Sequence, residues 1–275
     1  MKIGIVVNKN KPGALELLAK LSDWLTKREM EVLDSLSQPV ENVLDGASLV
    51  ICLGGDGTLL SVAGHMKQNS IPVLGVNLGS LGFLTEVKQT EVFEELNGYF
   101  LGQSRIEERF MLSCRVHSES AKKERRLVAL NDIVVSREGL SRLLDVEVRV
   151  SGEKLTSFSG DGVIVATPTG STAYSLSAGG AVVHPKLEAI LITPICPHAS
   201  ALRSIVVAAD EKISVRIQTF QGAGKALLTA DGQENVEIDD SYHVEMTRSN
   251  TPLKLLKSSK RSYFATLREN FKFPA

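Results

Sequence analysis

The chain has 275 residues, 43% hydrophobic and 23% charged, which is the composition of a folded globular protein and excludes a disordered or fibrous one. Lys and Arg number 31 against 32 Asp and Glu, so the formal charge of −1 leaves no basic excess for gripping a nucleic-acid backbone. Cys52, Cys114 and Cys196 are scattered without a Cys-x-x-Cys pair, no 18-residue apolar run exists, and a cytoplasmic protein with no membrane partner is expected.

Strand and helix signals alternate through the first hundred residues. Ile3–Val7 is a short apolar strand, and after the Pro12-Gly13 turn Leu15, Leu18, Leu21, Trp24 and Leu25 recur at helical spacing. Ser48–Leu53 predicts a second strand, with Leu59, Leu60 and Ala63 opening a helix behind it. Pro72–Val76 predicts a third, and Val92, Phe93 and Leu96 a helix ending near Asn97-Gly98. Such alternation implies an α/β domain over residues 1–100 with a parallel sheet covered on both faces.

Beyond residue 101 short strands follow one another with turn punctuation. They include Met111–Val116, Arg126–Val135, Leu144–Val150, Val163–Ala166, Ala189–Ile192, Ile213–Ile217, Ala226–Thr229 and His243–Met246. Breaks fall at Ser151-Gly152, Gln221-Gly222 and Asp231-Gly232, and the basic run Lys122–Arg126 reads as the tip of a hairpin. A β-rich domain over 101–260 is expected, with a mixed tail at 261–275 returning to the first domain.

Three glycine-rich stretches stand out. Gly54-Gly55-Asp56-Gly57-Thr58 lies between a strand and a helix, where backbone N–H groups and the helix N-terminus suit an anion such as the phosphates of a donor. The loop has neither the Gly-Lys-Ser/Thr ending of a Walker motif nor the Gly-x-Gly-x-x-Gly of a Rossmann turn. By itself it also fits a plain turn with Asp56 or Thr58 as the helix cap. Gly75–Leu84 leaves the next strand with three more glycines. Gly160–Gly180 runs from a buried strand through a Thr/Pro/Gly turn into a short helix of small and hydroxyl side chains, a surface for a polar ligand.

GGDGT, the Asn131-Asp132 pair, the TPTGSTAYSLSAGG run from Thr167 to Gly180, and Asp231-Gly232-Gln233 follow in this order. Together, from about Gly4 to Phe271, they closely resemble the bacterial NAD kinases, also called ATP-NAD or inorganic polyphosphate/ATP-NAD kinases. The resemblance implies an α/β N-terminal domain with a β-rich C-terminal domain, assembled as a homodimer or homotetramer. It implies transfer of the γ-phosphate of ATP, in some members also of polyphosphate, to the adenosine ribose 2′-hydroxyl of NAD. A divalent cation, Mg2+, accompanies ATP, and no protein metal-ligand cluster stands out. Asp56 would be the proton acceptor and, with Gly57, contact NAD, while Gly54, Gly55, Gly57 and Thr58 would face the donor phosphates. Asn131 and Asp132 would grip the adenosine, and Asp161 and the stretch Thr172, Ala173, Tyr174, Ser175, Leu176 and Ser177 would contact the dinucleotide. Arg142, Ser159 and Gln233 fall at further contact positions.

The chain departs from the family where Asp132 replaces the usual Glu, one methylene shorter, and where Ala199-Ser200-Ala201-Leu202-Arg203-Ser204 replaces a Ser/Thr-Leu-Ser-x-Arg-Pro run. His184 and His198 read as structural. A lipid or sugar kinase sharing only GGDGT, and a nucleotide sensor without turnover, are the competing readings.

Overall fold

The computed structural model describes residues 1–66, 70–118, 123–139, 143–199, 201–219 and 225–272. Arg142, Lys122, Ser200, the Gln221-Gly222 break and Phe273 lie outside the described residues. Contacts divide the chain into one unit of Met1–Glu108 with Thr251–Ala275 and a second of Arg109–Asn250. The change of texture near residue 101 and the tail from 261 are thus accompanied by two strands, just before 109 and after 251, that belong to the first unit's sheet.

The first unit runs β1 (Lys2–Val7), α1 (Ala14–Thr26), β2 (Glu31–Asp34), α2 (Val40–Leu44), β3 (Leu49–Gly54), α3 (Asp56–His65), β4 (Pro72–Asn77), β5 (Val87–Lys88), α4 (Val92–Phe100) and β6 (Ile106–Arg109). The second runs β7 (Leu112–Ser118), β8 (Lys123–Ala129), β9 (Asp132–Arg137), β10 (Leu144–Val150), β11 (Glu153–Gly160), β12 (Gly162–Ala166), α5 (Tyr174–Ser177), β13 (Ala189–Ile195), β14 (Ile205–Ala208), β15 (Ile213–Gln218), β16 (Ala226–Ala230), β17 (Glu234–Ile238) and β18 (Tyr242–Arg248). The chain then returns to the first unit as β19 (Leu253–Leu256) and α6 (Tyr263–Phe271).

Among the described residues the first unit holds a seven-stranded sheet in the order β2-β1-β3-β4-β19-β6, with β5 beside β4. The pairs β1–β2, β1–β3, β3–β4, β4–β5 and β4–β19 are all parallel. Parallel strands lie between helices, so β3 is buried along its whole length, LVICLG, with no polar alternation. Ala14, Leu17, Leu21 and Leu25 form the buried face of α1. Helix α4 continues past Asn97-Gly98 to Phe100, because Trp24 packs on Phe93 and Phe100 at 5.4 and 6.1 Å and draws the last turn inward. The glycine that ends this helix is Gly102, at φ 69°, whose N–H reaches the Tyr99 carbonyl.

Among the described residues the second unit packs two antiparallel six-stranded sheets face to face, β11-β10-β15-β18-β7-β8 and β14-β13-β12-β9-β16-β17. The first of these alternates buried and accessible residues, as in β7 and β15. In the other, β12 and β13 are buried throughout, because Val183 and Ala178 cover Val134, Ile164, Ala166 and Leu191 on the face turned away from the partner sheet. The expected single strand Arg126–Val135 is two strands. It breaks at Leu130-Asn131, where the backbone N–H groups turn to the carboxylate of Asp231 instead of to a neighbouring strand.

Candidate functional site

In the first unit, loops leaving the carboxyl ends of β1, β3 and β4 enclose a cleft of about 410 Å³. That end of a parallel sheet is where open α/β folds bind ligands. Gly54–Thr58 form one wall, Asn77–Gly82 contribute to another, and Asn8 and Lys11 close the cleft from the β1 loop. Helix α3 begins directly in this wall. Its N-cap is Gly55, extended at φ −132° and ψ −171° with no side-chain cap bond, rather than Asp56 or Thr58. The Thr58 N–H bonds to the Gly55 carbonyl at 3.0 Å, while the N–H groups of Asp56 and Gly57, with the positive dipole end of the helix, have no backbone partner among the described residues and suit an anion.

The Asp56 side chain has turned from the helix to the loop after β4. Its Oδ1 accepts the Thr85 hydroxyl at 2.8 Å and the N–H groups of Thr85 and Leu84 at 2.9 and 3.2 Å. Oδ2 accepts the Phe83 N–H at 2.9 Å. Thr85 is fully buried, and its oxygen also accepts from Asn77 Nδ2, which donates to the Ser80 carbonyl as well. This arrangement requires glycine at 82, since a Cβ there would lie 2.1 Å from Asp56 Oδ1. Gly57 differs: a Cβ on it meets nothing within 4 Å, so its missing side chain keeps space open.

The second unit gathers the other expected residues around a second aspartate. Asp231, in the left-handed region at φ 51°, accepts the N–H groups of Leu130, Asn131 and Asp132 at 2.7, 2.7 and 3.0 Å. Asp132 is 5% exposed, and burial, followed by the charge of Asp231, pushes its carboxyl up to about 7. Burial likewise pushes Asp231 up to about 6, against the opposing pull of its three N–H donors. The Asn131 backbone is pinned from both sides, its carbonyl accepting Thr167 N–H at 2.8 Å. Its side-chain amide has no partner among the described residues. Gln233 sits on the same turn, its N–H bonded to the Ala230 carbonyl.

The Thr167–Gly180 stretch forms a 3-10 turn at Gly170–Thr172 followed by the single-turn α5. Tyr174 stands out at 46% exposure, and Thr172, Ala173, Leu176 and Ser177 are at least partly accessible. Ser175 faces inward instead, fully buried with its hydroxyl 2.9 Å from that of Thr193. Asp161 is bound at 2.6 Å by Arg137 Nε, and the Ser159 hydroxyl donates to Asp145. The structure thus brings Asn131, Asp132, Gln233 and the turn before Thr172 together, and Gly54–Thr58 into the cleft of the other unit. Ser159 and Asp161 stand at the end of β11 and just beyond it.

Sequence reasoning missed Lys11, Thr85 and Arg137, and took Asp231 only as part of a motif. Lys11 was findable, because it lies in the loop leaving the carboxyl end of the first strand. Thr85 and Arg137 become visible only once the fold sets them against Asp56 and Asp161.

Among the described residues no group of three His, Cys, Asp or Glu side chains is placed to hold a metal ion. Among the described residues the cleft offers a single carboxylate, Asp56, which already accepts from four donors. That donor set fits a Mg2+ carried in on substrate phosphates with its own waters, and does not fit a protein cage.

The sequence matches the ATP-NAD kinase N-terminal domain over residues 34–103 and the ATP-NAD kinase C-terminal domain over residues 130–258. It is 39% identical over 282 residues to the NAD kinase of Geotalea daltonii, covering 99% of this chain and 98% of that one. It is 40% identical over 277 residues to the NAD kinase of Heliobacterium modesticaldum, covering 97% of each. An NAD kinase from Archaeoglobus fulgidus in complex with ATP superposes with a TM-score of 0.81 at 30% identity, covering 98% of this chain and 99% of that one. Yeast NADH kinase complexed with NADH has the same fold, with a TM-score of 0.93 at 24% identity over 99% of this chain and 88% of that one.

Proposed function

The chain belongs to the NAD kinase family, and from that premise we propose that it moves the γ-phosphate of ATP to the adenosine ribose 2′-hydroxyl of NAD, forming NADP, with Asp56 as proton acceptor. The observation that carries the role of Asp56 is the unequal use of its two oxygens. Oδ1 takes three donors and Oδ2 one, which leaves a lone pair on Oδ2 in a carboxylate fixed at the mouth of the cleft. Hydroxyl attack on a phosphoryl group asks the protein for alignment, charge neutralisation and a place for one proton. The N–H groups of Asp56 and Gly57 at the start of α3, with Gly54, Gly55 and Thr58 beside them, face the donor phosphates, whether of ATP or of polyphosphate. A divalent cation, Mg2+, supplies charge neutralisation when it arrives on those phosphates.

In the second unit, the free amide of Asn131 and the carboxyl of Asp132 hold the adenosine. Asp132, raised to about 7, still carries its proton in part of the molecules near neutrality and can donate as well as accept. The exposed Tyr174 ring offers a face to a base, with Thr172, Ala173, Leu176, Ser177, Gln233, Ser159 and Asp161 as polar and backbone contacts. Ser175 supports this surface from beneath. We place the enzyme in the cytoplasm as a homodimer or homotetramer.

Purified protein given ATP, Mg2+ and NAD is expected to produce NADP, read by coupling to an NADP-specific dehydrogenase. Loss of that signal in Asp56→Asn, with NAD binding retained by calorimetry, is the expected result. A variant with near-normal kcat would remove Asp56 as the base. Absence of NADP from the wild type, with NAD still bound, would leave a sensor in place of a kinase.

A further inference from the structure

Lys11 is the one cation among the described residues lining the cleft of Gly54–Thr58. It lies in the loop leaving β1, four residues past the end of that strand, beside β3 in the same parallel sheet. The GGDGT loop contains no lysine, so any positive side chain for the donor phosphates has to come from another loop. The lysine head lies beside Gly79 on the facing wall, where a Cβ would stand 3.8 Å from Lys11 Nζ, an ordinary contact distance. No carboxylate among the described residues pairs with this ammonium. Asp56 shares the cleft, yet its charge is already met by the Phe83–Thr85 donors, which lowers its attraction for a second cation.

We propose that Lys11 is a phosphate-binding residue of the donor site, closing its ammonium onto the triphosphate that the α3 N-terminus receives. The inference rests on the kinase reading and extends it to a residue outside the GGDGT motif. An exposed lysine on a loop costs little to move and carries three donors, so it can follow the charge of the transferring group. Its share is in donor affinity, because it lines the cleft of the GGDGT loop in the first unit, whereas the residues assigned to the adenosine, Asn131 and Asp132, belong to the second unit.

Lys11→Ala, Lys11→Arg and wild type are compared in steady-state kinetics, with NAD and ATP varied in turn. The expected result for Lys11→Ala is an ATP KM raised about 10- to 100-fold, the range of one charge-assisted hydrogen bond, with the NAD KM within about twofold. Lys11→Arg should keep the ATP KM within about fivefold of wild type, because it preserves the charge. An ATP KM unchanged in Lys11→Ala overturns the proposal and leaves the kinase reading intact. Calorimetry with magnesium tripolyphosphate, which lacks the nucleoside, tests Lys11 even if no NADP forms. About tenfold weaker binding to Lys11→Ala supports the assignment, and equal binding overturns it.

Discussion

Two aspartates in this chain each receive three consecutive backbone N–H groups. Asp56 takes those of Phe83, Leu84 and Thr85, and Asp231 takes those of Leu130, Asn131 and Asp132. Both contacts fix a loop that carries expected ligand residues, yet the surroundings differ. Asp56 has a fourth donor in the Thr85 hydroxyl and, among the described residues, no second carboxylate in its cleft. Asp231 is bracketed by the buried Asp132, whose proton it helps retain. One grip therefore leaves two different groups: a fixed carboxylate whose Oδ2 carries a single hydrogen bond, and a paired acid whose carboxyl is pushed up toward neutrality.

The largest expected effect breaks the first grip. Asp56→Asn should lower kcat by about 10²–10⁴-fold, the usual share of a positioned base, in the coupled NADP assay. Gly82→Ala should approach it by steric means, since the new Cβ displaces Asp56 Oδ1. We expect loss of activity together with about 1–3 kcal/mol of stability in urea unfolding, the range for overpacking. Asp231→Ala strips three N–H groups of their acceptor and should cost about 1–3 kcal/mol, with a weaker NAD KM and an ATP KM near wild type.

The paired acid makes a signed pH prediction. Asp132 and Asp231 hold protons in the folded chain to about 7 and about 6, above the ordinary carboxyl range, so between about pH 4 and 7 the folded state binds more protons than the unfolded. This contribution to stability therefore falls as pH rises through that window. Asp132→Asn should flatten that slope in denaturant melts taken at pH 5 and pH 8. The smallest structural effect is expected at Gly57→Ala, whose Cβ meets nothing and whose helical position favours alanine, by up to about 1 kcal/mol in a helix interior. A melting temperature at or above wild type with a raised ATP KM would show that the space at Gly57 serves the ligand.

What the sequence made legible follows burial. Strands with one wet face, such as β7 and β15, announce themselves by alternation, and β3 and β12 by unbroken apolar runs. Polar strands escaped: β2 and β17 lie at sheet edges and carry Glu and Asp or Asn, so their pairing leaves little pattern. The break at Leu130-Asn131 was hidden because its cause, Asp231, is a hundred residues away. Among the candidate residues, Asp56 and Asn131 were proposed from motifs. Lys11 and Thr85 acquire their meaning from loops that the parallel sheet sets side by side.

The position of β19 between β4 and β6 bears on how the polypeptide acquires its shape as it leaves the ribosome. The first unit cannot close its sheet until Leu253–Leu256 emerge, because β6 has its neighbour in the sheet order only through that strand. The β-sandwich of Arg109–Asn250, encoded later than most of its neighbour, is complete in sequence earlier. We predict that the customary amino-to-carboxyl order of domain folding is thereby inverted. A nascent chain arrested before residue 253 should expose a protease-resistant sandwich and a protease-sensitive amino-terminal half.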